Sequence, residues 1–185
     1  MGLDMYLCKN SYVKNWSFMT EKERHRVAVE QGGTHRADIK PERITSIVEE
    51  VAYWRKANAI HRWFVAHVQD GVDDGKHYPV SRGDLDELLR TCKEVLAHST
   101  LVPGQVTNGY TYENGAEKPI VENGRVIADA TTAKRLLPTQ AGFFFGSTDY
   151  DEYYFDDVAD TVRQLEAVLA EPDEAVIDFE YRASW

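Results

Sequence analysis

The stretch SRGDLDELLRTCKEVLAH, residues 81–98, constrains the fold more than any other part of the chain. Ser81 followed by Asp84 makes an N-cap arrangement that satisfies free amides at a helix start, with Asp in place of the usual Glu or Gln. Leu85, Leu88, Leu89, Cys92, Val95 and Leu96 then recur at helical spacing and form one apolar stripe. That stripe needs a surface to cover it, and the segments around it read as strands that can form one.

Leu3, Met5 and Leu7 alternate with polar or small neighbours, as in a half-buried strand. HRVAVEQGGTHRADI reads as two short strands about a Gly32–Gly33 turn. ITSIVEEV, 44–51, is rich in β-branched residues and reads as a strand, with a helix opened by Pro41 as the alternative. YWRKANAIHRWF, 53–64, predicts a helix continuing to about Val68, ended by the loop DGVDDGK. HYPV is a short extended piece. Residues 100–128 are punctuated by Asn-Gly pairs and read as an excursion, with IVENGRVIA a hairpin about Asn123–Gly124.

ATTAKRLLP gives two helical turns stopped by Pro138, and GFFFG reads as a buried strand. A long helix follows to about Ala170, with Tyr154, Val158, Val162, Leu165 and Leu169 on its core side. AVIDFEY closes the chain as a strand. Without regular βαβ alternation the expected class is α+β. The expectation is a single domain over 1–185, with a mixed or antiparallel sheet packed against about three helices and 100–128 as a hairpin-rich excursion.

A formal net charge of −10 disfavours a general nucleic-acid binder, because neutralising phosphates needs a basic surface. MGLDMYLCKN lacks a basic stretch followed by a long apolar run, and Tyr6 stands where a myristoylation signal wants Ser or Thr. No apolar run approaches the ~20 residues that span a bilayer. The expected location is the cytoplasm, with no membrane partner and with Cys8 and Cys92 as reduced thiols.

The segment 53–64 carries the first candidate site. On a helical projection His61 shares an arc with Trp54, Ala57, Ile60, Phe64, Val65 and Val68, while Asn58 sits at the edge and Arg55 and Arg62 lie farther round. That layout puts an imidazole and an amide on a pocket floor with guanidinium groups at its mouth. Arginine suits phosphate or carboxylate, and histidine can donate, accept or act as a base. The alternative is a core histidine bonded to backbone and flanked by arginines whose stems shield the core.

GSTDYDEYY, 146–154, is the second. Ser147, Thr148 or Asp149 can cap the following helix, and Tyr150 offers a ring face. Asp149, Asp151 and Glu152 repel an anion there, so the other readings are structural capping, a cation, or an uncharged polar group. Calcium-loop, P-loop, dinucleotide-binding and hydrolase motifs are missing, so no cofactor, no metal site and no catalytic residue is assigned.

MGLDMYL, SYVKNW, VEEVAYWRKANAIHRWFV, GVDD, VSRGDLDELLRTCKEVL, LLPTQAGFFFGSTDYDEYY and the closing ASW together cover most of the chain outside 100–128. In these stretches the sequence resembles an uncharacterised family of tailed-phage and prophage proteins. The resemblance implies a phage or prophage origin and no particular activity.

The expected function is therefore binding of a small polar or anionic, nucleotide-like ligand by Trp54, Arg55, Asn58, His61, Arg62, Ser147, Thr148, Asp149 and Tyr150, possible in a phage–host conflict. The alternative is an acidic interaction protein that blocks a host factor through Asp149, Asp151, Glu152, Asp156, Asp157 and Asp160. A small hydrolase using His61 as base is the third reading.

Overall fold

A computed structural model describes residues 2–113, 116–142, 144–172 and 177–185. Its first strand, β1 (Asp4–Tyr12), alternates buried Met5 and Leu7 with half-exposed neighbours, as the sequence pattern requires. A small hairpin follows, β2 (Glu30–Gln31) with β3 (Thr34–His35). Gly32 and Gly33 hold its turn at φ 57° and 78°, values that favour glycine.

β4 (Ser46–Arg55) pairs antiparallel with β1 and settles the ambiguity at 44–51 in favour of a strand. It also corrects the expected helix over 53–57. Tyr53, Trp54 and Arg55 pair with Tyr6, Met5 and Asp4, and the helix α1 begins only at Asn58, running to His67. Within 52–55 the buried residues are Ala52 and Trp54, a period of two that a helical projection cannot exclude over so short a run.

β5 (Tyr78–Val80) leads into α2 (Arg82–Ala97). Ser81 Oγ accepts from Asp84 N at 3.1 Å, and the Asp84 carboxylate accepts from Ser81 N at 2.8 Å, so the capping box closes as expected. β6 (Leu101–Glu113) and β7 (Ala116–Ile127) form a long two-stranded ribbon. Asn123–Gly124 makes no turn, because it lies mid-strand opposite Gln105 and Gly104. These glycines serve close approach. A Cβ on Gly104 would sit 2.7 Å from Val126 Cγ2, and one on Gly124 2.7 Å from Val106 Cγ2. The Asn114–Gly115 pair lies outside the described residues.

After α3 (Thr131–Leu136) the aromatic run is not a strand at its described residues, 142 and 144–146. Phe144 and Gly146 have φ of 62° and 89°, which break an extended chain, and Phe145 N donates to Gly142 O in a turn. Phe145 is buried, while Phe143 falls outside the described residues. The last helix, α4 (Glu152–Ala170), buries Tyr154, Val158, Thr161, Leu165 and Val168, so its stripe is centred slightly away from the expected one. Val162 and Leu169 are only partly buried.

The final strand, β8 (Ile177–Ser184), inserts between β1 and β5, giving an antiparallel sheet of order β4-β1-β8-β5. Leu3, Met5, Leu7, Trp54, Phe179 and Tyr181 from its inner side join α1, α2 and α4 in one core. On the outer side Tyr6 and Tyr53 pack together with Arg182 over the Tyr6 ring. One covered and one wet face is the usual economy of antiparallel sheets. The molecule is an α+β protein with three long helices and one short one. Cys8 and Cys92 are both free thiols, and burial pushes Cys92 up to about 12. Among the described residues no helix is long and apolar enough to cross a membrane.

Candidate ligand pocket

The chain leaves β4 at Arg55 and reverses at Lys56, a non-glycine residue held at φ 61°. Its backbone amide donates to Leu3 O at 2.8 Å, and its carbonyl accepts from Asn58 N at 2.7 Å. Asn58 is buried and fully used. Its Nδ2 donates to Phe145 O at 3.1 Å and Ser147 O at 2.8 Å, while Oδ1 accepts from Gln140 N at 3.0 Å. One side-chain amide thus ties the segment 140–147 to the start of α1.

That segment is braced from behind. Arg62 Nη1 donates to Thr139 O at 3.0 Å, Tyr154 Oη donates to Leu137 O at 2.9 Å, and the Tyr150 hydroxyl accepts from Thr139 N at 3.2 Å. The front of the loop faces a cavity of about 690 Å³, a size that suits a small-molecule ligand. Arg55, Lys56, Ser147, Thr148 and Asp149 line it from the two expected segments. Thr107, Asn108, Gly109 and Tyr110 close a third side, where β6 carries an irregularity in its pairing and Gly109 takes φ 102°. Thr107 Oγ1 donates to Asp149 Oδ2 at 3.1 Å and holds ribbon and loop together.

Four of the expected residues lie outside this cavity. Trp54 is in the core, its indole N–H donating to Thr161 Oγ1 at 2.9 Å. Arg62 and Tyr150 brace the loop. His61 is fully buried, with Nδ1 2.8 Å from the Tyr181 hydroxyl and Nε2 2.9 Å from Asp73 Oδ2. Its ring meets Phe145 edge-on, so the pocket floor expected from the helical projection is corrected. The projection erred because Trp54 and Arg55 belong to a strand, which changes the side from which they meet α1.

The inner wall comes from α4 and was not among the expected site residues. Asp151, and not Ser147, Thr148 or Asp149, caps the helix, with Oδ1 accepting from Tyr153 N at 3.0 Å and Tyr154 N at 3.1 Å. Burial raises its carboxyl even against those two bonds. Asp157 is raised to about 7, mainly by burial and then by the neighbouring charges of Asp156, Asp160 and Asp151. The sequence signal for this wall was present as a run of acids and tyrosines. What was not visible is that Asp151 and Asp157 border a hollow while Glu152 pairs with Arg125 and Asp160 with Arg163. Lys56, Tyr110 and Phe144 also line the cavity. No group of three or more His, Cys, Asp or Glu is placed to hold a metal ion among the described residues.

No family model, curated protein or solved structure matches the chain.

Proposed function

We propose that this protein binds a small polar ligand with an anionic group, of nucleotide size, in the cavity lined by Lys56 and by residues 141–142 and 144–149. The observation that carries the reading is that two exposed cationic residues, Arg55 and Lys56, are among those lining a cavity of about 690 Å³. A guanidinium fork and an ammonium are the side-chain groups that suit a phosphate or carboxylate. Both Lys56 and Phe144 line this cavity in left-handed backbone conformations, a kind of stored strain that gathers at binding sites. Half-exposed rings of Tyr110, Phe144 and Tyr153 supply flat apolar surface beside the charge. The resemblance to tailed-phage and prophage proteins is in keeping with sequestration of a host nucleotide.

The acidic-surface reading draws less support. Asp151 is buried, Glu152 and Asp160 are paired within the chain, and Asp149 accepts from Thr107. The test is calorimetric titration of the full chain with a panel of nucleoside monophosphates. Saturable binding is expected, weakened about tenfold or more when Arg55→Ala and Lys56→Ala are combined, since each loses a charge-assisted contact. If no nucleotide binds, or the double variant binds like the parent, the reading fails.

A further inference from the structure

β1 and β4 are antiparallel neighbours, which a turn of a few residues can join. Here residues 13–45 make the connection, a length uncommon inside a compact domain, and none of them is buried. Val13 N donates to Thr45 O at 3.0 Å at the root of this arm. Beyond the root, the side-chain hydrogen bonds and ion pairs of the arm stay within it among the described residues. Phe18 is 80% exposed and Trp16 49%. Their rings lie within 9° of parallel with centroids 6.3 Å apart, and Lys14 Nζ is 4.1 Å from the centroid of the Trp16 ring. Large aromatic rings of this kind anchor protein interfaces once a surface covers them. The arm holds seven Lys or Arg against five Asp or Glu, a net of +2, which leaves −12 on the rest of a chain of net −10.

The same chain holds the complementary surface. On the sheet face turned away from the helices, Asn10 stands between Val48 and Asp178, and Cys8 between Glu50 and Glu180. Val48 is 61% exposed there and Tyr12 beside it 49%. The three acids make this stretch negative, while Arg182 is engaged with the Tyr6 ring at 4.2 Å. We propose that the chain forms a two-fold dimer in which the arm of each copy lies on the outer sheet face of the other. Trp16 and Phe18 meet Val48 and Tyr12, and the arm's cations meet Glu50 and Asp178. The arm leaves the sheet at Tyr12 and Ser46, the end that carries Val48 and Asp178. Two copies meeting root to root therefore bring each arm over the other's face. An interface to which both copies give the same two patches is self-complementary and closes at two subunits. An anionic polymer or membrane surface suits the arm as well, but the −12 body repels it and attracts the arm of a second copy. The dimer is independent of what the cavity binds.

The experiment is sedimentation velocity of the full chain over a concentration series, at low and at high salt. A species of twice the 21.1 kDa chain mass is expected to dominate by about 100 µM. Phe18→Ala removes an aromatic anchor from the arm, and Val48→Lys puts a cation on the face where the arm's cations arrive. Each should weaken the dimer about tenfold or more. Both positions are exposed, so both variants keep the fold, which circular dichroism checks. High salt should weaken the parent dimer, because the pairing charges are at the surface. A dimer indifferent to Phe18→Ala, to Val48→Lys or to salt overturns the proposal. So does a chain that stays monomeric throughout, including one whose arm instead retains a single-stranded oligonucleotide or vesicles of anionic lipid.

Discussion

Replacing Asp157 by Asn should stabilise the protein at alkaline pH and do almost nothing at acid pH. The folded carboxyl is pushed up to about 7 by burial first and by Asp156, Asp160 and Asp151 after it, whereas an unfolded aspartate titrates near ~3.9. Between those two values the folded chain keeps a proton that the unfolded chain has released. Stability therefore declines as pH rises through this window, and above it the ionised carboxylate is a standing penalty. The full shift corresponds to an upper limit of about 4 kcal/mol. The carboxyl borders an open cavity and shares its solvent, so roughly 1–2 kcal/mol is expected. Asp151 is raised in the same direction, chiefly by its own burial, and its charge is the last of the three that act on Asp157. Urea unfolding of parent and Asp157→Asn at pH 4.5, 6, 7 and 8 measures it through the midpoint at constant slope. A midpoint difference that does not grow with pH, or a variant less stable than the parent at pH 8, would refute the reasoning.

Two other perturbations test how the scaffold holds the pocket in place. Tyr181→Phe removes the hydroxyl 2.8 Å from His61 Nδ1; Asp73 Oδ2 beside Nε2 can only accept, which puts the ring proton on Nε2 and leaves Nδ1 to accept from the Tyr181 O–H. The variant leaves a fully buried ring nitrogen without a donor, and urea melts should show a loss of about 1–3 kcal/mol. Gly124→Ala places a methyl 2.7 Å from Val106 Cγ2 and 2.5 Å from Glu152 Oε1. Glu152 can swing away, but the branched valine has no room to, so a loss of about 1–3 kcal/mol is expected in thermal unfolding. A neutral result would mean that the ribbon can part at this point.

Much of the fold was legible because its signals are local. The capping box at Ser81 and Asp84, the turn at Gly32–Gly33 and the alternation along β1 involve residues a few positions apart, and the structure contains all three. Residues 53–55 are strand where local periodicity predicts helix, for the opposite reason. Their strand state depends on hydrogen bonds to Asp4, Met5 and Tyr6, which no window around them contains. Asn123–Gly124 carries the residue types of a turn, yet at Gly124 the missing side chain is used to let Val106 and Glu152 approach.

The candidate site divides along the same line. Arg55, Ser147, Thr148 and Asp149 were named from the sequence as two polar segments, and the structure puts both on one cavity. That Lys56, Tyr110, Asp151 and Asp157 complete it required β4, the bulged ribbon and the start of α4 to meet. The sequence by itself determined the helices with strong caps, the strands with strict alternation and the α+β class, since each follows from the spacing of neighbouring side chains. Only the tertiary structure decided that His61 would be sealed against Tyr181 and Asp73 while Asp151 kept one carboxylate oxygen without a donor among the described residues. Burial and pairing are properties of what packs against a residue, and those partners lie far along the chain.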